Sequence, residues 1–118
     1  MGLSTHVLDT MHGRPASGME VSLMTTTGSG IAKLVKQFTL NSDGRNPDGL
    51  LYDSATLKVG TYRLVFDVAA YFKALGVALP EPNFLNAVTI DFGVADVAAH
   101  YHVPLLVSPW SYSTYRGS

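Results

Sequence analysis

Turn-forming residues divide this chain into short segments that are rich in β-branched and aromatic side chains, at intervals of about ten residues. The segment from Gly60 to Val68 is the clearest, because Tyr62, Leu64 and Phe66 alternate with the residues between them. A period of two places alternate side chains on opposite faces of a strand, so that one face can enter a core. The pattern therefore predicts an all-β sandwich or barrel.

Glycine, proline and asparagine set the predicted strand boundaries. The predicted strands are Leu3–Asp9, Met19–Thr26, Ile31–Leu40, Leu50–Tyr52, Gly60–Val68, Asn83–Gly93, His102–Val107 and Ser111–Tyr115. The run from Asp9 to Pro15 is predicted to be a turn, because its glycine and proline interrupt regular pairing. A longer loop over Asn41–Gly49 is rich in Asp, Asn, Gly and Pro, and loops of this kind on a rigid sheet often carry function.

One segment departs from the period of two. Residues Ala69–Gly76 include good helix formers and end on a glycine, which is favoured just after a helix. Asp67 is a candidate N-cap. We predict this single short helix and, since no repeat or linker interrupts the pattern, a single domain over residues 1–118.

Length and composition limit the classes of function. A chain of 118 residues can bury one core without a disulfide or a metal, and 47% hydrophobic against 14% charged residues hints at surface covered by partner subunits. The net charge of −1, with no basic stripe, argues against nucleic acid and membrane surfaces as partners. The chain has no cysteine, which excludes a thiol nucleophile and Cys-ligated metals.

The first residues show no basic stretch followed by an apolar run, so no signal peptide is expected. A cytoplasmic location is therefore the expectation for the chain as given. A longer precursor that had been trimmed would give the same sequence.

Histidines raise the question of a metal site. His100 and His102 are two residues apart in a strand and so share one face, where two imidazoles can hold a divalent ion. No H-E-x-x-H spacing or carboxylate cluster completes such a site, so we expect no metal. The commoner arrangement has His100 in solvent at the strand entrance and His102 partly buried. A G-x-S-x-G elbow and a P-loop are also missing from the sequence.

A dispersed set of polar residues remains, in the first strand, the long loop and the last two strands. It consists of His6, Arg45, His102 and Arg116-Gly117-Ser118. Distance along a chain does not prevent convergence in a sandwich. Each residue also has a simpler interpretation, as a solvent-facing strand residue, a solvated loop charge or a fraying end.

Several segments, in order over nearly the whole chain, resemble the transthyretin-related 5-hydroxyisourate hydrolases. They are Leu3–Thr10, Gly13–Ala16, Asp43–Arg45, Tyr101–Leu106 and Ser113–Ser118. The final Tyr115-Arg116-Gly117-Ser118 is the most discriminating part, because transthyretins proper, which carry thyroid hormone on the same fold, lack it and the matching histidines. The turn Ser108-Pro109-Trp110-Ser111 and the loop residues Asn46-Pro47 depart from the usual pattern of the family, which can alter substrate fit or loop rigidity.

The resemblance implies a transthyretin-like eight-stranded β-sandwich of two four-stranded sheets with one short helix. It implies a homotetramer, built as a dimer of dimers, with active sites in a channel at the dimer-dimer interface. The implied reaction is hydrolysis of 5-hydroxyisourate in purine and urate catabolism, by opening of the ring at an amide bond, to 2-oxo-4-hydroxy-4-carboxy-5-ureidoimidazoline (OHCU). No metal or organic cofactor is expected.

The resemblance also implies which residues form the site. The catalytic set is His6, Arg45, His102 and Ser118, and the substrate-binding set is His6, Arg45, Tyr115, Arg116, Gly117 and Ser118. A neutral imidazole can take a proton from attacking water near pH 7, and we assign this to His102 with His6 as its partner, or the reverse. Arg45 is suited to bind the developing oxyanion or to orient the planar ring.

The last residues have further expected roles. Arg116 is an alternative candidate for holding the terminus in place, and Gly117 allows a close approach of the backbone. Ser118 offers a hydroxyl and the α-carboxylate, either of which can orient a water or a histidine. Two other classes of function are alternatives: a non-catalytic carrier of aromatic ligands in the same channel, and an adhesion sandwich of the immunoglobulin type, for which a Cys-Trp-Cys pattern is missing.

Overall fold

Two β-sheets pack face to face in the computed structural model, which describes residues 2–117. The strands are β1 (Gly2–Asp9), β2 (Arg14–Pro15), β3 (Glu20–Thr26), β4 (Ala32–Thr39), β5 (Tyr52–Asp53), β6 (Gly60–Phe66), β7 (Val88–Val94), β8 (Tyr101–Val107) and β9 (Tyr112–Thr114). The helix α1 spans Val68–Ala74, between β6 and β7. It is too short to cross a membrane, and no other helix occurs in the described part of the chain.

The first sheet has the strand order β2-β1-β8-β9, with β5 also paired to β1, and the second has the order β4-β3-β6-β7. Strands β1 and β8 run parallel, whereas the other pairs are antiparallel. The core lies between the sheets, where alternate residues of each strand are fully buried. It includes Leu3, Val7, Leu105 and Val107 from the first sheet and Val21, Leu23, Leu64 and Phe66 from the second. The period of two in the sequence thus decides which face of each strand enters the core.

The predicted β-sandwich with one short helix is confirmed, but within residues 2–117 its sheets contain five and four strands instead of the expected four and four. The strand that the prediction lacked is β2, in the first sheet, whose residues Arg14 and Pro15 pair with Asp9 and Leu8. The predicted turn over residues 9–15 is therefore wrong at its last two positions. Proline is tolerated there because β2 lies at an edge of the sheet.

The strand predicted over Asn83–Gly93 begins later, at Val88. Polar groups before Val88 form hydrogen bonds to a turn and to the helix instead of joining a ladder. The Asn83 side-chain amide donates to the carbonyl of Pro80 at 2.8 Å, and the carbonyl of Asn86 accepts from the N–H of Ala69 at the start of α1. Alternating apolar residues in this segment suggested a strand, but its hydrogen bonds go to the helix and to a turn.

The helix agrees with its prediction to within two residues at each end. Gly76 follows it with a φ of 84°, and the N–H groups of Gly76 and Val77 donate to carbonyls in the last turn. Asp67 occupies the N-cap position, but its side chain makes no capping hydrogen bond. The helix is held instead by its buried face, to which Tyr71 and Phe72 contribute.

Asp9, at the end of β1, is fully buried and joins the helix to the first sheet. Its carboxylate accepts hydrogen bonds from the Tyr71 hydroxyl at 2.7 Å and from the His12 backbone N–H at 2.9 Å, and the His12 imidazole lies 2.6 Å from it. Burial acts to raise the pKa of Asp9, but these hydrogen bonds outweigh it and hold the pKa below its ordinary value.

We expect Tyr71→Phe to lower the free energy of unfolding by about 1.5–3 kcal/mol at neutral pH, because a hydrogen bond to a buried charge is lost. Urea unfolding at matched protein concentration measures this.

The stabilisation by the hydrogen bonds of Asp9 depends on pH, because folding lowers the pKa of its carboxyl group. The stabilisation is complete above the unfolded pKa of about 3.9 and is lost as the pH falls through the pKa of the folded state. The difference between Tyr71→Phe and wild type should therefore shrink below about pH 4; an equal difference at pH 3 and pH 7 would contradict this account.

Candidate active site

Two histidines lie side by side on the outer face of the first sheet. In β1, Leu3, Thr5 and Val7 point into the core, so His6 points outward and is half-buried. The parallel register pairs residue 4 with His102 and residue 6 with Pro104, which places His102 on the same face as His6 and one step along the sheet. Local alternation thus orients each imidazole, and the pairing of β1 with β8 brings them together.

The loop over residues 41–49 places Arg45 beside His6, where the two residues form an isolated antiparallel bridge. The Val7 N–H donates to the carbonyl of Gly44 at 3.0 Å. Gly44 has a φ of 73°, and a Cβ added there would lie 2.5 Å from the Val7 carbonyl oxygen. Only glycine fits this contact, so the residue before Arg45 fixes the loop against β1.

The charge on Arg45 acts on both imidazoles. Burial lowers the pKa of His6 most, followed by the Arg45 guanidinium, while Asp43 partly opposes the change. Burial is also the largest cause of the lowered pKa of His102, followed by Arg45, His6 and His100. Both histidines are therefore neutral at pH 7 and able to accept a proton.

The segment after β9 returns to the start of β8. The Gly117 N–H donates to the carbonyl of His102 at 2.7 Å, and a Cβ added at Gly117 would lie 2.7 Å from Cδ2 of the His102 ring. Arg116 donates from Nη2 to the carbonyl of His100 at 3.2 Å, and its guanidinium carbon lies 4.2 Å from the centre of the Tyr101 ring. This segment therefore packs against His102. Ser118 lies outside the described residues.

Tyr115 and Arg116 also line a cavity of about 240 Å³ at an open edge of the sandwich. Residues of β7 and β9, such as Phe92 and Thr114, line the same cavity. His6 and His102 do not line this cavity. A single chain therefore brings together His6, Arg45, His102 and Gly117, whereas Tyr115 is exposed to solvent at the edge.

Two neighbours of His102 were missed as site residues by sequence reasoning. Ser4 Oγ lies 2.7 Å from His102 Nδ1 and 3.3 Å from His100 Nε2. His100 is half-buried, so its predicted position in solvent is wrong: its imidazole contacts the Ser4 hydroxyl, and Arg116 donates to its backbone carbonyl. Within residues 2–117, no group of three or more His, Cys, Asp or Glu side chains is arranged to hold a metal ion.

The fold and the site together define a class: a transthyretin-like sandwich whose outer face carries neutral imidazoles and a guanidinium, groups suited to proton transfer. The chain belongs to the HIUase/Transthyretin family, whose profile matches residues 3–117.

Named relatives cover nearly the whole chain. It is 53% identical over 117 residues to the 5-hydroxyisourate hydrolase of Deinococcus radiodurans. The alignment covers 99% of this chain and 96% of the relative. The structure of Klebsiella pneumoniae 5-hydroxyisourate hydrolase superimposes with a TM-score of 0.79 at 34% identity and full coverage of both chains. The structure of an (S)-allantoin synthase matches with a TM-score of 0.91 at 42% identity; it covers 99% of this chain, which spans 43% of that longer one.

Proposed function

We propose that this protein hydrolyses 5-hydroxyisourate to OHCU in the breakdown of urate, without a metal or an organic cofactor. The observation that carries this proposal is the convergence of His6, His102 and Arg45 on one outer face, with both imidazoles held neutral at pH 7. The names of the relatives at about half identity support the substrate.

In the proposed reaction, water attacks a ring amide carbonyl while an imidazole takes one of its protons. His102 is assigned as this base, with His6 as its partner. The hydroxide oxygen forms a bond to the carbonyl carbon, the ring C–N bond breaks, and the proton passes from the imidazole to the leaving nitrogen. One water is thus consumed, and the ring opens to a carboxylic acid that releases its own proton to solvent at neutral pH.

Arg45 is assigned to the negative charge that develops on the carbonyl oxygen, or to the planar ring itself through paired hydrogen bonds. Its loop is held against β1 by the Gly44 contact, which fixes the backbone that carries the exposed Arg45 side chain. Tyr115, Arg116, Gly117 and Ser118 are proposed to form a wall of the site, and the Gly117 N–H donates to the carbonyl of His102.

We further propose that the protein is a homotetramer, a dimer of dimers, with the sites in a channel between dimers. The outer face of the first sheet is only half-covered in one chain, and aromatic residues such as Trp110 and Tyr112 are exposed near it. Sedimentation velocity tests this assembly, for which four chains per particle is the expected result.

The activity is tested by adding the protein to freshly generated 5-hydroxyisourate and following the decay of its ultraviolet absorbance. The expected result is a decay faster than the spontaneous one, in proportion to enzyme concentration. A decay at the spontaneous rate, with retention of an aromatic ligand by the tetramer, would replace the hydrolase with the carrier.

We expect an acid limb in the pH dependence of kcat/KM that lies below pH 6.5, the ordinary value for histidine. Burial and Arg45 lower the pKa values of both histidines, so the neutral base persists to lower pH than a free imidazole and is lost as the pH falls through the shifted value. Initial rates between pH 4.5 and 8, corrected for spontaneous decay, measure this; a limb centred above 6.5 would contradict it.

Gly117→Ala is expected to lower kcat by about tenfold to a hundredfold, since small displacements of a catalytic group are costly. The new Cβ would lie 2.7 Å from a ring carbon of His102, so the imidazole has to move. Gly28→Ala is the matched control, because a Cβ there meets nothing within 4 Å. Equal kcat values for the two variants would show that the terminal segment does not position His102.

A further inference from the structure

A serine hydroxyl lies between two histidines on the outer face of the first sheet. Ser4 Oγ is 2.7 Å from His102 Nδ1 and 3.3 Å from His100 Nε2, and all three residues are half-buried. The arrangement follows from the fold, because the register of β1 with β8 places Ser4 directly opposite His102. His100, two residues earlier, points to the same side.

We propose that Ser4 is a positioning residue which, with His100 behind it, fixes His102 in the tautomer that leaves Nε2 free to accept a proton. The inference rests on the proposed hydrolase function, in which His102 is the base. The hydroxyl has one proton to donate, so the order of donors along the three groups is restricted. When His102 Nδ1–H donates to Ser4 Oγ, the hydroxyl donates to His100 Nε2, and His102 Nε2 carries the lone pair.

The opposite order of donors would place the proton on His102 Nε2 and remove the base. Burial lowers the pKa of His102 most, but the Ser4 backbone acts to raise it, which is the effect of an acceptor near the ring. An acceptor supports the first order, in which Nδ1 carries the proton and Ser4 Oγ lies 2.7 Å from it.

A hydroxyl in this position has a different consequence from a carboxylate. In a Ser-His-Asp triad the carboxylate orients the imidazole and stabilises its protonated form. No hydrogen bond or ion pair in residues 2–117 joins a carboxylate to His102, and the charged or titratable groups that act on it are Arg45, His6 and His100. Ser4 therefore orients the ring without adding negative charge, so the base stays neutral beside a guanidinium.

The terminal segment supports the far end of this hydrogen-bonded chain. Arg116 donates to the backbone carbonyl of His100 at 3.2 Å and lies over the ring of Tyr101. These contacts fix the backbone that carries His100. His100 can then accept from the Ser4 hydroxyl without taking part in the chemistry itself.

The kinetic test compares Ser4→Ala with Ser4→Thr, which retains a hydroxyl and suits a strand. Ser4→Ala is expected to lower kcat by about tenfold or more with little change in KM. A loss of this size is typical when a group that orients a metal-ligating histidine is removed. Ser4→Thr is expected to restore most of the kcat. Ser22→Ala, on β3 of the other sheet, is the matched control and should behave as wild type. Wild-type kcat in Ser4→Ala would overturn the proposal.

The tautomer is measured separately, by ¹⁵N–¹H correlation spectra of the imidazole rings in the full-length protein at pH 7.5. His102→Asn identifies the signals of His102. The wild type should show the Nδ1–H form, and Ser4→Ala a mixture of both forms; the same spectrum in both would overturn the positioning role. Because this readout needs no turnover, it tests Ser4 even if the protein failed to hydrolyse 5-hydroxyisourate.

Discussion

His102→Asn should lower kcat for 5-hydroxyisourate by about a hundredfold or more, with the protein still folded and assembled. Asparagine is similar in size and can hydrogen bond to Ser4, but it cannot accept a proton from water at neutral pH. His102 is the imidazole with the most specific support, since Ser4 contacts its Nδ1 and Gly117 packs on its ring. The measurement is the initial rate at saturating substrate, after subtraction of spontaneous decay.

His12→Asn is the matched control for this variant. It makes the same chemical change at a histidine that contacts Asp9 and Phe72 instead of the site. We expect His12→Asn to lose some stability and to keep its turnover. If His102→Asn retained the rate of His12→Asn, the base would have to be assigned to His6.

Arg45→Ala is expected to lower kcat/KM by about a hundredfold or more, because the cation assigned to the developing oxyanion is removed. The same change removes a positive charge next to both histidines, so the pKa values of His6 and His102 should rise. The acid limb of the pH profile should consequently move to higher pH. A pH series of initial rates measures both effects in one experiment.

Arg45→Lys separates charge from geometry. Lysine retains the cation but lacks the planar pair of donors, so a partial rescue would indicate that the fork orients the ring. Arg63→Ala, at an arginine that pairs with Asp91 on the second sheet, is the surface control and should leave the rate and the pH profile unchanged. Wild-type kinetics in Arg45→Ala would remove Arg45 from the proposed machinery.

Much of the fold is predictable because its signals are local. Alternation along Gly60–Val68 locates β6 to within two residues, and the change of period near residue 69 locates α1. The errors occur where backbone and side-chain groups find hydrogen-bond partners that the alternation of side chains does not indicate. Arg14 and Pro15 pair with β1 as an edge strand, and the residues before Val88 bond to the helix and a turn, which the local pattern does not reveal.

The residues of the candidate site were also predicted only in part. Sequence motifs indicate His6, Arg45, His102 and Gly117, and the structure brings these four together. Ser4 and His100 were missed because a strand serine and a histidine at a strand entrance carry no signal of their own. Their roles depend on the register between β1 and β8, whose residues are nearly a whole chain apart in sequence.

The sequence by itself determined the all-β class, the short helix, the side chains that face the core and the residue types able to move a proton. These features depend on the period of two and on chemistry that each residue brings with it. Only the tertiary structure decided that Ser4 lies between two imidazoles, that Gly44 fixes the loop of Arg45 against β1, and that Gly117 touches the ring of His102. The physical reason is that these contacts arise from strand register and loop closure, which side chains far apart in the chain satisfy together.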